Sequence, residues 1–402
     1  MSAEKRTLVA LFAIALGLRV LYGVFLAAHP DIAPDPATSE LQYAKEIVSG
    51  TRWITEPYSP RASGYPIFLA LFYILAAKQV WLITFLQAAL GALTVLVVYR
   101  LGRSVLGGVL ALVAALWFAL HFQHMHLGYA LERDVVAVFL LMLVLHLLVR
   151  PFDRMRYALF AGIVYAVLVH VDPQYLLLLP VLAVFVLFKT RHGYLNIQYL
   201  FLFLGIVIVA SVPWTLRNYA VYRQPIPIGL EAERFFRPAR LAVTEPSTVI
   251  PELEGKIVRA SRSRFIRENA VEFWRVARFR DAAEEPGKPA GWPRERAWSL
   301  RHNVASILNY GIMLPFFIAG VAYALRTRSR TGLMLVAVVV VYFFMRMYLG
   351  GSELRRLPVD PLIIVVGFYG VLGLARRFNP GDPQISAESS GEGPSPSSPP
   401  AG

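Results

Sequence analysis

The chain has 402 residues, of which 56% are hydrophobic and only 16% are charged, and its mean hydropathy is +0.53. A soluble protein of this composition would expose a large apolar surface, so the composition predicts an all-α polytopic membrane protein. The absence of cysteine excludes disulfides, thiolate metal sites and cysteine nucleophiles. The net charge of +14 is carried by arginines at the ends of apolar stretches, so no nucleic-acid partner is expected.

The chain begins with a short charged segment that is followed by an apolar stretch up to Ala28. This charge order is that of a signal peptide, but the stretch lacks a small-residue cleavage site and is long enough to span a bilayer. We therefore predict an uncleaved first helix. In all, about ten apolar stretches have roughly the length of a transmembrane helix. They lie near residues 7–28, 80–99, 105–122, 134–149, 157–171, 174–188, 197–215, 304–325, 332–349 and 359–375.

Arginines and lysines predict the orientation of these helices. A cytoplasmic N-terminus places every short basic loop on the cytoplasmic side, as the positive-inside rule requires. The segments on the other side are then 29–64, 121–133, 216–303 and 350–357. Residues 65–77 are too short to span and are predicted to form an interfacial or re-entrant helix. Residues 1–378 thus form one transmembrane domain, and residues 379–402, rich in Ser, Pro and Gly, are predicted to be a disordered cytoplasmic tail.

The first outer segment carries two acidic residues next to a predicted helix. This helix runs from Thr38 to Val48, is capped by Thr38 or Ser39, and is closed by Gly50. Asp35 and Glu40 lie at its N-terminus. They are either surface acids that complement the helix dipole or part of a site.

Three further acids lie at the outer ends of predicted helices. Glu132 and Asp134 stand at the start of the fourth helix, where an ionisable residue usually faces a cavity or a partner. Asp172 precedes a proline and either caps the next helix or faces a cavity. The nearby pair His124 and His126 lacks an evident third ligand, so an interfacial position is favoured over a metal site.

Several arginines lie on the outer side, against the positive-inside trend. Arg217 lies within residues 213–219, which are predicted to end the seventh helix, and Arg355 and Arg356 directly precede the last helix. A bound anion such as a polyprenyl phosphate explains them, because guanidinium groups form bidentate contacts with phosphate. Attraction to anionic lipid headgroups explains the remaining arginines of the long outer loop equally well. Arg346, near an outer helix end, is expected to reach the interface.

Six short stretches, taken in order, resemble one family of membrane enzymes. They are Tyr43-Ala44 with Gly50, residues 64–70, Gln87, Glu132, residues 213–219 and residues 355–361. Together they make the chain similar to the GT-C class of membrane glycosyltransferases, specifically the bacterial relatives of dolichyl-phosphate-mannose protein mannosyltransferases and aminoarabinose transferases. The resemblance covers about residues 8–378.

This resemblance implies a GT-C-like helical bundle and an inverting glycosyltransferase in the bacterial inner membrane, active on the periplasmic side. The implied donor is a polyprenyl-phosphate-linked sugar, and the acceptor is an extracytoplasmic glycan, lipid or protein. Membrane lipids are the other expected partners. No cofactor is certain, and a divalent metal stays an open option.

The resemblance also implies roles for individual residues. Asp35 or Glu40 would be the general base, and Glu132 would orient the acceptor or a metal. Arg217, Arg355 and Arg356 would hold the phosphate. The residues expected to contact the acceptor or to support these groups are Tyr43, Asp134 and Asp172.

The sequence departs from the family pattern at two positions. Ser39 stands where the family usually has the catalytic Asp, and Leu354 stands where the family has the first arginine before the last helix. Two alternatives therefore stay open, a non-catalytic relative that binds polyprenyl phosphate and a transporter or flippase for a lipid-linked sugar. A transporter should carry charges near the membrane midplane, whereas most charges here gather at one face, which favours an interfacial site.

Overall fold

A computed structural model describes residues 2–30, 33–34, 38–50, 64–150, 155–189, 193–222, 266–267, 269–277, 300–349 and 356–378. Helices dominate these residues, and none of them lies in a β-strand. The α-helices are α1 (Ala3–Ala28), α2 (Ser39–Ser49), α3 (Gly64–Leu75), α4 (Val80–Leu106), α5 (Gly108–Ala119), α6 (Phe122–Tyr129), α7 (Arg133–Val149), α8 (Arg156–Val171), α9 (Leu179–Phe188), α10 (Gly193–Tyr222), α11 (Leu300–Ser306), α12 (Met313–Thr327), α13 (Arg330–Leu349) and α14 (Asp360–Phe378). Short 3₁₀ helices precede α9 (Pro173–Leu178) and α14 (Leu357–Val359), and a π-turn (Ile307–Gly311) joins α11 to α12.

The chain is an all-α, multi-pass membrane protein, as predicted. Each of the predicted apolar stretches forms helix. Among the described residues, six helices are long and apolar enough to cross a bilayer. A seventh is counted if α5 and α6, which meet at an angle of 50°, form one broken span. The predicted total of about ten therefore exceeds the number of helices that reach full spanning length, because α7, α8 and α9 are shorter.

The last helix, α14, lies at the centre of the bundle, and 83% of the residues in its most apolar 18-residue stretch are buried. It packs most closely on α12. A methyl group added at Gly320 of α12 would lie 1.9 Å from the carbonyl oxygen of Val366, and one added at Gly370 would lie 2.3 Å from the carbonyl oxygen of Phe316. The two glycines thus let the backbones touch, which is how small residues bring membrane helices together.

The seventh helix extends slightly beyond residues 213–219, where it was predicted to end. The helix α10 continues through Pro213 to Tyr222. The hydroxyl of Ser211 donates to the Val207 carbonyl (2.7 Å), and the hydroxyl of Thr215 donates to the Ser211 carbonyl (2.8 Å). Proline is more frequent inside membrane helices than inside soluble ones, so its position within α10 is not unusual.

The first outer helix forms as predicted. Thr38 caps α2, its hydroxyl accepting a hydrogen bond from the amide of Leu41 (3.2 Å), and Gly50 ends it in the left-handed conformation with φ +72°. The short helix predicted near residues 65–77 is α3. A methyl group at Gly64 would lie 2.5 Å from the His170 backbone, so α3 starts against the end of α8. Most of the long outer loop and the predicted disordered tail lie outside the described residues.

Candidate functional site

The start of α7 holds Glu132 at the outer end of the bundle, which is the end that the predicted topology places outside the cytoplasm. Leu131 has a positive φ of +49°, and Glu132 is the N-cap of α7, but its side chain makes no capping hydrogen bond. Its backbone carbonyl instead accepts from the amide of Gln87 (3.1 Å), whose carbonyl oxygen accepts from the hydroxyl of buried Tyr65 (3.1 Å). Three helices thereby fix the backbone of Glu132, while its carboxylate is not used as a cap.

The carboxylate of Glu132 keeps solvent access but lies among other charges. Its pKa is raised, first by partial burial and then by the negative charges of Asp134 and Glu40, while Arg133 lowers it. Of these charges, that of Glu40 on α2 has the smallest effect on Glu132.

Glu40 lies in the first turn of α2 and is partly buried. Tyr43 follows three residues later, a spacing that places both side chains on one face of the helix. The adjacent face of α2 is anchored by Leu41 and Ala44, which are buried in the core. The residue at the usual family Asp position, Ser39, belongs to the same turn.

We call the outer end of the bundle around Glu132 the mouth, and a buried ion cluster adjoins it. Arg346 of α13 is only 4% exposed, and one of its guanidinium nitrogens lies 3.9 Å from a carboxylate oxygen of Asp134. The same guanidinium donates to the Gln174 side-chain oxygen (2.9 Å) and to the Tyr342 hydroxyl (2.7 Å). The expectation that Arg346 reaches the interface is therefore wrong, because buried acceptors from two other elements hold it inside.

Asp172 was expected either to cap the next helix or to face a cavity, and its two carboxylate oxygens have different environments. One of its oxygens caps the 3₁₀ helix by accepting from the amide of Gln174 (3.1 Å), and the other lies 3.9 Å from Nε of Arg133. The residue is fully buried. The second Asp172 oxygen, one Asp134 oxygen and the Tyr175 hydroxyl are buried without a hydrogen-bond partner among the described residues. Unsatisfied buried polar atoms are uncommon in proteins, so these three form a set of polar atoms available to a further polar group.

Arg356 is buried and uses most of its donors within the protein. Its Nε donates to Asp360 (3.1 Å), and one terminal nitrogen donates to the carbonyls of Phe273 (3.4 Å) and Arg275 (2.6 Å). Its guanidinium carbon lies 3.3 Å from the centre of the Tyr310 ring. The segment before α14 is thereby tied to the outer loop residues 269–277.

A chain of buried polar groups continues from Arg356 into the bundle. His121 places its Nε2 3.2 Å from the second oxygen of Asp360. His124 lies 3.4 Å from the guanidinium of Arg19, which is 1% exposed and thus faces protein. Sequence reasoning missed the contacts of Asp360, although the i, i+4 spacing of Arg356 and Asp360 on one helical turn was a usable signal.

The remaining predicted site residues are less closely placed. Arg217 lies near the end of α10, stacked over the Trp214 ring at 4.9 Å and donating to the Asn218 side chain (3.1 Å). Asp35 and Arg355 lie outside the described residues. The 3₁₀ helix that follows Arg356 packs through Leu357 against Val135 of α7, so this segment adjoins the acidic mouth.

An apolar groove of about 520 Å³ lies between the outer ends of α1 and α4. Its wall includes Val24, Ala27, Trp81, Phe85, Ala33 and Pro34. Pro34 directly precedes Asp35 in the chain. A hydrocarbon chain in this groove would therefore end beside the first outer segment.

The described residues contain no group of three or more His, Asp and Glu side chains placed to hold a metal ion. His124 contacts Arg19, and His126 contacts the Tyr22 hydroxyl at 2.9 Å. Both histidines thus have protein partners.

Comparison with known proteins gives one family and several similar structures. The family model described as dolichyl-phosphate-mannose-protein mannosyltransferase matches residues 61–215. No curated protein matches the chain. The family match covers α3 to α9 and most of α10, and so includes Glu132, Asp134 and Asp172.

Solved structures with the same fold come from an archaeon and a bacterium. AglB, the oligosaccharyltransferase of Archaeoglobus fulgidus, in complex with an inhibitory peptide and a dolichol-phosphate, shares 15% identity, with a TM-score of 0.56 over 97% of this chain and 54% of that one. The Archaeoglobus fulgidus oligosaccharyltransferase in complex with Zn and sulfate shares 14% identity, with a TM-score of 0.58 over 96% of this chain and 50% of that one. ArnT from Cupriavidus metallidurans in the apo state shares 18% identity, with a TM-score of 0.56 over 96% of this chain and 62% of that one. At such low identities, the TM-scores show a shared fold alone. The chain spans only about half to three-fifths of the length of these proteins.

Proposed function

We propose that this chain belongs to the GT-C superfamily of membrane glycosyltransferases and is an inverting glycosyltransferase that moves a sugar from a polyprenyl-phosphate carrier to an extracytoplasmic acceptor. The observation that carries the proposal is the solvent-accessible carboxylate of Glu132 at the outer end of the bundle, where Gln87 fixes its backbone and the buried Asp134–Arg346 pair stands beside it. The family description names a dolichyl-phosphate sugar, and AglB was solved with a dolichol-phosphate, which supports a lipid-phosphate carrier.

The chemistry needs a base and a leaving group on opposite sides of the sugar. Asp35 or Glu40 takes the proton of the acceptor hydroxyl, whose oxygen then bonds to the anomeric carbon. The bond from that carbon to the carrier phosphate breaks at the same time, and the electron pair leaves with the phosphate. Glu132 orients the acceptor hydroxyl, and Tyr43 and Asp134 support it. A single displacement of this kind inverts the anomeric configuration.

The surrounding charges suit this division of roles. Partial burial, and then the negative charges of Asp134 and Glu40, raise the pKa of Glu132, so its carboxyl group takes up a proton at higher pH than an isolated glutamate would. The buried Arg346 counters the negative charge of Asp134 and Asp172 beneath the mouth. The buried ion cluster thereby gives the acids at the mouth a fixed support whose charges are balanced.

The departing phosphate is assigned to arginines. Arg355 and Arg217 would hold it, whereas Arg356 donates to protein groups and would position the adjacent Arg355. The lipid tail needs an apolar surface at the outer end of the bundle. The groove between α1 and α4 offers one for a hydrocarbon chain of the carrier or of a lipid acceptor.

The test is transfer from undecaprenyl-phosphate mannose to a membrane extract, measured as release of undecaprenyl phosphate by the purified protein. Glu132→Gln, Glu40→Gln and Asp35→Asn are each expected to lower the rate, and the most important of them by about 100-fold or more. Glu46→Gln, on the same helix α2, is the matched control and should keep the wild-type rate. Transfer that survives all three changes would contradict the carboxylate chemistry.

Binding of undecaprenyl phosphate separates the alternatives. A non-catalytic relative would bind the lipid and release none from the donor. A flippase would move the lipid-linked sugar across vesicle membranes at a rate indifferent to the three amide variants. The proposed enzyme binds the lipid in every variant and loses only turnover.

A further inference from the structure

A polar cavity of about 370 Å³ lies at the end of the bundle opposite to Glu132. It is formed where α4 and α7 end and where α1 begins. Its polar lining is Glu4, Arg100, Arg103, Ser104, His146 and Arg150. The cavity thus has residues from three helices, and its cations come from two of them.

This cavity is far from the candidate transferase site. Glu132 lies at the start of α7, and Arg150 follows its end, 17 helical residues later. At 1.5 Å of rise per residue, the two ends are about 25 Å apart. A function of the cavity is therefore independent of the sugar-transfer chemistry.

The cavity has an excess of positive charge. Three arginines face it, and Glu4 is the one acid in its lining. The Glu4 carboxylate lies 3.2 Å from the Arg103 guanidinium, so this pair is already matched. Arg150 points a nitrogen at Nε2 of His146 (3.3 Å), which acts as a neutral acceptor.

Two arginines thus lack an acidic partner in the described part of the chain. Arg100 of α4 and Arg150 of α7 line the same cavity as His146. Both side chains are exposed, and two positive charges from different helices that line one cavity attract an anion into it. The positive-inside rule explains why arginines are present at this end, but it does not explain why they line one cavity.

The occupant that fits is a lipid phosphate. The ends of membrane helices lie at the headgroup level, where anionic phospholipid is the abundant anion. Guanidinium groups match the oxygens of a phosphate, and basic pockets between transmembrane helices on the cytoplasmic side bind such headgroups. The net excess of charge favours an anionic headgroup over a zwitterionic one, whose amine would add positive charge.

We propose that this cavity binds the phosphate of an anionic glycerophospholipid from the leaflet that the predicted topology makes cytoplasmic. The phosphate lies between Arg100 and Arg150 and bridges the ends of α4 and α7. The acyl chains lie along the outer surface of these helices. The site thereby ties together the two helices whose other ends carry Gln87 and Glu132.

The experiment is a binding titration of the full-length protein in detergent with phosphatidylglycerol, with phosphatidylcholine as the zwitterionic comparison. The variant Arg100→Gln/Arg150→Gln is expected to bind phosphatidylglycerol about 30-fold more weakly, from two arginines of ordinary interfacial strength. The matched control is Arg326→Gln/Arg377→Gln, which removes two exposed arginines near the ends of α12 and α14 and should leave the affinity unchanged.

Three results would overturn the proposal. They are equal binding of the two lipids by the wild type, an equal loss in the control variant, and competition by inorganic phosphate at concentrations as low as those of the lipid. If the double variant does not fold, Glu4→Gln replaces it. Removal of that carboxylate frees Arg103 and should tighten phosphatidylglycerol binding several-fold, whereas unchanged or weaker binding would contradict the site.

Discussion

Replacement of Arg346 tests whether the buried ion cluster holds the outer end of the bundle together. The variant Arg346→Met keeps most of the side-chain volume but removes the donors to Tyr342 and Gln174 and the positive charge beside Asp134. Breaking one partner of a buried pair costs about 3–5 kcal/mol, because the other charge is left uncompensated. With about 2 °C of melting temperature per kcal/mol in a large domain, the expected loss is about 6–10 °C.

The assay is thermal unfolding of the purified protein in one detergent, followed by intrinsic fluorescence. Adding Asp134→Asn to Arg346→Met should recover part of the loss, since it removes the carboxylate that the first change leaves unpaired. The exposed Arg326 provides the control, and Arg326→Met should shift the melting temperature by less than about 1 °C. A loss no larger than that of the control, or no recovery in the double variant, would refute the reasoning.

Three further predictions concern the site and the bundle. The raised pKa of Glu132 means that its carboxylate takes up a proton at higher pH than a free glutamate, so activity should fall on acidification above the ordinary glutamate range. The variant Glu132→Gln should lack this acidic fall in the pH–rate profile. An acidic fall that persists in the variant would assign it to another group. Gly320→Ala should lower the melting temperature, since overpacking costs about 1–3 kcal/mol, whereas Gly205→Ala, where no atom lies within 4 Å, should be tolerated; equal stability of the two would count against backbone contact. Asp360→Asn should both destabilise the protein and weaken undecaprenyl phosphate binding, because Arg356 loses its carboxylate partner, and a variant unchanged in both would exclude the anchoring role.

Local features of the outer segments were predictable from the sequence. The cap at Thr38 and the closing Gly50 are residues whose chemistry sets a helix boundary without help from distant parts of the chain. The acids at the start of α7 stood out because charged residues are costly at a membrane helix unless a partner or a cavity receives them. These signals located Glu40, Glu132 and Asp134 at helix starts before any contact was known.

Long-range contacts could not be predicted in the same way. Nothing near Arg346 in the sequence indicates that Asp134 and Gln174, more than 170 residues away, will receive its guanidinium. This contact depends on which helices become neighbours, and the order of apolar stretches does not determine this. Pro213 signals a nearby helix end in the sequence, but α10 continues to Tyr222, because proline does not by itself end a membrane helix.

The most direct test of the central claim is binding of undecaprenyl phosphate to the purified protein, compared with Arg355→Ala/Arg217→Ala in the same detergent and with Arg326→Ala/Arg377→Ala as the charge-matched control. A polyprenyl-phosphate-dependent transferase should bind the lipid saturably, lose that binding in the first variant and retain it in the second. Absence of saturable binding, or binding indifferent to Arg355 and Arg217, would contradict the account.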